Sequence, residues 1–389
     1  MADLGLILRV VCWEVIEKSG GNYMKKRLLE LVLCLFVSLC FLFMAWSTQR
    51  ESDRLIFDFS GLEKFWEVLT LLEKDEEIPP ELWAQLFGTP GYAVLTKSEF
   101  SVEFFIKRFK LSFMPSRRKD LEDVLENSGE WDRRIYEHYQ KIQLKKAEIR
   151  EESEKIGARS SIIAGEALRA ATDYLPFRNS YGYPPVSFLV FQNDGRGYSP
   201  VVIDIGKAIE LNDDLVLFLA HEYHHFYRNQ YLAYDPKRVQ GDDENIIWVF
   251  NQLQAEGMAN LVNQRPKMND PSNRDTEFFA LYDKSPDDLR RIDEYLVSIV
   301  DYPEQRRSLS LNLRKELSWS GHPTGFFMAN FILETLGKDV LVESVGNPFR
   351  FMTLFQEAAK RLGQTIILFS EKAMALIHGL EAKYALLRK

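Results

Sequence analysis

Cysteine is nearly missing from this chain: Cys12, Cys34 and Cys40 all fall near the N-terminus, and nothing after them is a cysteine. A folded body without thiols holds neither a disulfide nor a thiolate metal site, so any metal must be held by imidazole and carboxylate. Such a body suits an oxidising compartment. Surplus positive charge is missing as well. The formal net charge is −8 and no basic face is visible, which argues against a nucleic-acid partner, because phosphate binding needs clustered Lys and Arg. Internal repeats and low-complexity tracts are also lacking, which excludes a solenoid or a disordered array. What is there is ordinary globular chemistry: 46% hydrophobic and 27% charged over 389 residues, enough for one large core or two modest ones.

Helical patterns dominate. Residues 61–74 carry apolar side chains at three- and four-residue spacing, which predicts an amphipathic helix. Pro79-Pro80 opens a short helix through Trp83 and Leu86, ended by Gly88, Pro90 and Gly91. A third helix is predicted over 98–114, stopped by Pro115, and a charged one over 131–155, whose mixed-sign run reads as a solvated face. The texture changes near residue 184. The runs at 186–191 and 201–205 are β-branched and aromatic, and the turn formers at 193–197 between them predict a β-hairpin with a long loop. Asn212-Asp213-Asp214 then starts a helix, and another runs over 243–264 to Pro266. The expected fold is α+β and mostly helical, with a helical region at 48–155 and a catalytic region at 156–389.

Within the helix after Asp214, His221-Glu222-Tyr223-His224-His225 fits H-E-x-x-H. At roughly 100° per residue the two outer histidines lie about 40° apart and one turn along the helix. Two imidazoles at that spacing converge on one zinc ion. Glu222 falls beside the metal instead of on it, placed to take a proton from water and deliver it to a leaving group. The apolar run at 215–220 predicts burial, where two histidines and a glutamate are costly without a metal. Arg228 and Tyr231 stand where a metzincin needs Gly and His, which removes that class. Glu256, mid-helix among Leu253, Gly257, Met258 and Ala259, is the best candidate for the third ligand, with Glu244 and Asp243 as rivals. Gly257 is expected to let that helix approach the first closely. Glu222-x-x-His225 is also half of a di-iron motif, but no second Glu-x-x-His exists: Ile135, Trp319 and Ala375 precede the other histidines. His224 is expected at the surface or behind the ligands, and His138 and His378 are assigned no chemistry.

These residues resemble the glutamate-zincin metallopeptidases, and in particular a poorly characterised bacterial family assigned as zinc-dependent peptidases. HEYHH at 221–225, EGMA at 256–259 and the segment at 320–341 carry the likeness. The resemblance implies Zn2+ held by His221, His225 and Glu256, with Glu222 as general base and a peptide or protein substrate. It also implies a hairpin edge beside the cleft, on which an extended peptide adds as a strand. His322, in SGHPTG, is the candidate oxyanion donor, against a plain helix-capping role. The competing expectation is a non-catalytic, zinc-stabilised exported binding protein whose metal has four protein ligands.

Lys25, Lys26 and Arg27 precede an apolar run at 28–46, interrupted mainly by Glu30 and Ser38. This is the pattern of a signal peptide or signal anchor at 24–47, so the protein is expected to be exported, either secreted or held to the membrane by 28–46. Residues 1–23 are an unusual prefix for an export signal. We expect translation to start at Met24, a reading that a mass-spectrometric peptide from residues 1–23 would overturn.

Overall fold

Apolar residues recurring at helical spacing make the described residues mostly helical, with one small sheet. The structure, a computed structural model, describes residues 56–385 apart from 179, 271, 273 and 364–367. The export segment at 24–47 and the prefix at 1–23 lie outside the described residues. Among the described residues no helix is long and apolar enough to cross a membrane.

Strand β1 (Phe57–Asp58) leads into α1 (Ser60–Leu72), α2 (Pro80–Phe87), α3 (Pro90–Ser98), α4 (Val102–Phe113), α5 (Arg118–Asn127), α6 (Glu130–Leu144), α7 (Lys146–Ala158) and α8 (Ser160–Thr172). The short helix through Trp83 and Leu86 ends at Gly88 as expected, while one expectation is extended and one corrected. Pro90 and Gly91 do not merely end a helix: Pro90 opens α3, and Gly91 is pressed so closely on β-sheet residues that a Cβ there would lie 2.5 Å from Leu189. The helix expected over 131–155 breaks at Lys145 into α6 and α7, where neither Gly nor Pro marks the boundary. Its mixed-sign run is solvated as expected, with Lys155 between Glu151 and Glu152.

The sheet comprises β1, β2 (Val186–Leu189), β3 (Gly195–Arg196) and β4 (Val201–Asp204) in the order β1-β2-β4-β3. The hairpin read from the sequence joins β3 to β4, whereas β2 and β4 run parallel. The reason is visible in burial: all four residues of each of β2 and β4 are buried, the signature of strands covered on both faces. Asp204, at the end of β4, ties the sheet to its surroundings. Its buried carboxylate accepts from the backbone N–H groups of Phe191, Gly206 and Lys207, and His138 of α6 lies 3.0 Å away. Burial alone would raise its pKa, but His138 and the backbone N–H groups outweigh this and hold it below the ordinary range. His138, assigned no chemistry, is therefore a packing partner of the sheet.

After β4 come α9 (Ile205–Leu211), α10 (Leu215–Arg228), α11 (Asp243–Asn263), α12 (Thr276–Asp283), α13 (Ser285–Asp301), α14 (Arg306–Lys315), α15 (His322–Leu336), α16 (Lys338–Val342), α17 (Pro348–Leu362) and α18 (Glu371–Tyr384). Helix α10 carries the H-E-x-x-H motif, and α11 crosses it. Their register is pinned by Arg228, buried at the end of α10, whose guanidinium donates to Gln254 and Asn251 at 2.7 Å each. Burial lowers its pKa to about 10, which leaves it charged at neutral pH.

Helix α11 meets α15 still more closely. Gly257 does not face α10, as expected, but α15: a Cβ on it would lie 2.3 Å from the Gly325 carbonyl oxygen. Two facing glycines thus let the backbones touch where α11 carries Glu256 and α15 begins with His322. Gly257→Ala must push these helices apart, and we expect a loss of about 1–3 kcal/mol, read from urea denaturation. An unchanged midpoint would mean that the close approach is not needed.

Candidate metal centre

Helix α10 buries His221 and Glu222 and leaves His225 partly accessible. One helical turn separates the histidines, and their Nε2 atoms come within 3.0 Å of each other. From α11, Glu256 extends Oε2 to 3.4 Å from His221 Nε2 and 3.2 Å from His225 Nε2. Ligand atoms about 2 Å from one tetrahedral ion stand about 3.3 Å apart. The three separations match that spacing.

The polar bookkeeping points the same way. Glu256 Oε2 is buried and receives no hydrogen bond, although three imidazoles surround it. Two facing ring nitrogens require a proton or a cation between them, since two lone pairs repel. Burial would raise the pKa of Glu256, but the imidazoles of His322, His225 and His221 outweigh it and hold the carboxyl well below its ordinary value. Burial likewise works against charge on His221, and there too its partners win: Glu256 and Glu222 raise it. A divalent cation at the convergence point would satisfy every one of these groups. The residues present therefore fit zinc.

Glu222 points elsewhere. Its Oε1 lies against β3, where a Cβ on Gly195 would come within 2.7 Å of it. A Cβ on Gly197, just after the strand, would strike the His225 Cβ at 2.4 Å, so glycines in and after β3 let the chain pass directly over the motif. Burial raises the Glu222 pKa above the ordinary carboxylate range.

His322 opens α15 after three consecutive residues at positive φ, Trp319 (46°), Ser320 (53°) and Gly321 (90°). For Trp319 and Ser320 this backbone is strained. The turn brings the His322 ring to stack on His221 with centroids 5.7 Å apart, and its Nδ1 to 3.2 Å from Glu256 Oε2. His221, Glu256 and His322 thus also offer ligand atoms within 4.8 Å of one another. Two possible triads share His221 and Glu256, one completed by His225 and one by His322.

The rival acids are elsewhere. Asp243 is taken by Arg306, Lys383 and Tyr384, and Glu244 is exposed at the far end of α11. His224 is fully buried, not at the surface. Its Nε2 meets the Tyr174 carbonyl at 3.3 Å, and burial pushes its pKa down to about 3, so it stays neutral and outside the cluster. His378 is exposed near Glu381.

Two residues escaped the sequence reading. Asn263 presents Oδ1 to His221 Nδ1 at 3.3 Å, and Asn260 presents Nδ2 to His322 Nδ1 at 3.0 Å. With Glu256 they form one stripe of α11 at i, i+4 and i+7. Their i, i+4 and i+7 spacing from Glu256 was the available signal, diluted by other polar residues on the same helix such as Asn251 and Gln254.

A family model described as "Putative zinc dependent peptidase (DUF5700)" matches residues 83–364, well over half of the chain. The chain belongs to that family. Its zinc dependence names the cofactor, and peptidase activity makes the substrate a peptide or protein. No curated protein and no solved structure matches the chain.

A carboxylate at the convergence of two imidazoles should dominate metal affinity. We expect Glu256→Ala to weaken zinc binding in calorimetry by more than the roughly 10–100-fold typical of orienting partners. Zinc at 100 times its Kd should stabilise the wild type by about 2.7 kcal/mol, and the variant by less at the same concentration. Equal affinity in the two proteins would place the metal elsewhere.

Proposed function

We propose that this member of a zinc-dependent peptidase family hydrolyses peptide bonds with a glutamate-zincin site. His221 and His225 hold the ion from α10, Glu256 holds it from α11, and Glu222 is the general base. One observation carries the reading: the buried Oε2 of Glu256 lacks a hydrogen bond yet sits at ligand spacing from both motif imidazoles. When bound, zinc supplies Lewis acidity toward a carbonyl oxygen and toward water.

The protein groups divide the remaining work. Glu222, kept off the ligand set by its position on the helix, accepts a proton from the attacking water and passes it to the leaving amine. Burial, which raises its pKa, brings it closer to a group able to take a proton as well as release one. His322, stacked on His221, is placed to donate to the oxyanion that forms on the substrate carbonyl. Among the described residues, β3 is an outer strand of the sheet, paired only with β4, and it runs over the motif. An extended peptide pairing with its free edge would lie along the site with its backbone fixed. The segment at 24–47 would deliver this activity outside the cytoplasm.

The test separates binding from chemistry. Glu222→Gln is nearly isosteric and removes only the base, so zinc content should stay at the wild-type level while kcat falls about 10²–10⁴-fold. The measurement pairs metal analysis with cleavage of a peptide library. Undiminished turnover in the variant would remove Glu222 from the mechanism.

A further inference from the structure

His322 is the residue on which the character of the site turns. As a fourth ligand it would close the coordination sphere, which is the hallmark of structural zinc; as a donor it leaves one position open for chemistry. Its neighbours distinguish these roles. Asn260 is 2% exposed, and its Nδ2 lies 3.0 Å from His322 Nδ1. An amide nitrogen can only donate, so His322 Nδ1 must accept. A neutral imidazole that accepts at Nδ1 carries its single proton at Nε2. The opposite tautomer would donate from Nδ1 to Glu256 Oε2, which lies 3.2 Å away, but that oxygen receives no hydrogen bond.

One turn further along α11 the polarity is reversed. Asn263 turns its oxygen to His221 Nδ1 at 3.3 Å, and an oxygen can only accept. His221 therefore holds its proton at Nδ1 and presents the Nε2 lone pair to Glu256 and His225. Two asparagines on one helix face, with opposite ends of their amides inward, prepare two stacked imidazoles for opposite tasks.

Resting on the peptidase reading above, we propose that Asn260 is a positioning residue that fixes the His322 tautomer. It makes His322 an Nε2–H donor toward the substrate instead of a fourth zinc ligand. The zinc then keeps three protein ligands.

Asn260→Asp tests this directly, because a carboxylate can only accept. It should draw the proton to His322 Nδ1 and leave Nε2 as a bare lone pair. With zinc retained, kcat should fall about 10²–10³-fold, as for a lost oxyanion donor, while KM changes little. His322→Ala should show the same kcat loss, also with zinc retained. Nitrogen-15 NMR of labelled histidine, with the His322 signals identified by their loss in His322→Ala, should show the proton at Nε2 in the wild type and at Nδ1 in Asn260→Asp. Wild-type kcat in Asn260→Asp, loss of zinc from His322→Ala, or a wild-type spectrum with His322 protonated at Nδ1 would each overturn the proposal. The wild-type spectrum decides even if the variant fails to fold. A wild type that binds zinc but cleaves nothing would instead sink the peptidase mechanism, with the tautomer still readable.

Discussion

A carboxylate oxygen buried among imidazoles, with no hydrogen bond reaching it, is the constraint around which this protein is arranged. A buried carboxylate oxygen left without a hydrogen bond is too costly to persist as an accident of packing. The helices that meet at Glu256 are held with corresponding care. Arg228 locks α10 to α11 through two amide side chains, and the Gly257–Gly325 contact brings the backbone of α15 against α11. Each contact lies within a few residues of a group that faces the metal position.

A second buried carboxylate in the same molecule shows the alternative. Asp204 is as enclosed as any residue in the core, yet three backbone N–H groups and His138 satisfy it. It needs nothing from outside and serves to fasten the end of β4. Glu256 is slightly more open, with its side chain 12% exposed, yet its buried Oε2 receives no hydrogen bond. Similar side chains thus meet opposite environments, one closed by backbone donors and one with an oxygen left unpaired among imidazoles. The contrast is informative because the cost of burial is the same in kind for both.

The sheet has a related division. Strands β2 and β4 are buried on both faces and anchor the surrounding helices. Strand β3 contributes two residues and one outer edge, and Gly195 within it and Gly197 just after it let the chain pass over Glu222 and His225. Side chains at 195 and 197 would not fit against the motif. Small size at 195 and 197 is therefore part of the site, although neither residue has a side chain to contribute.

Much of the site was legible because its chemistry is local. H-E-x-x-H spacing determines by itself that two imidazoles share a helix face with a glutamate beside them, since helix geometry leaves no freedom. The length of α11 and the oddity of a charge at 256 among apolar neighbours were likewise plain in the chain. Pairing across distance was not. A parallel β2–β4 and a hairpin at β3 share one hydrophobic pattern, and Gly257 signals a close approach without naming the helix approached. The break at Lys145 has no residue-level marker, and the fate of His224 depended on which way a buried face turned. Asn260 and Asn263 are ordinary helix residues until α15 and α10 arrive beside them. Sequence fixes what one helix presents, because that follows from a rotation per residue. Only the tertiary structure decides which atom of an amide meets which nitrogen of a ring, because that follows from how helices distant in sequence pack.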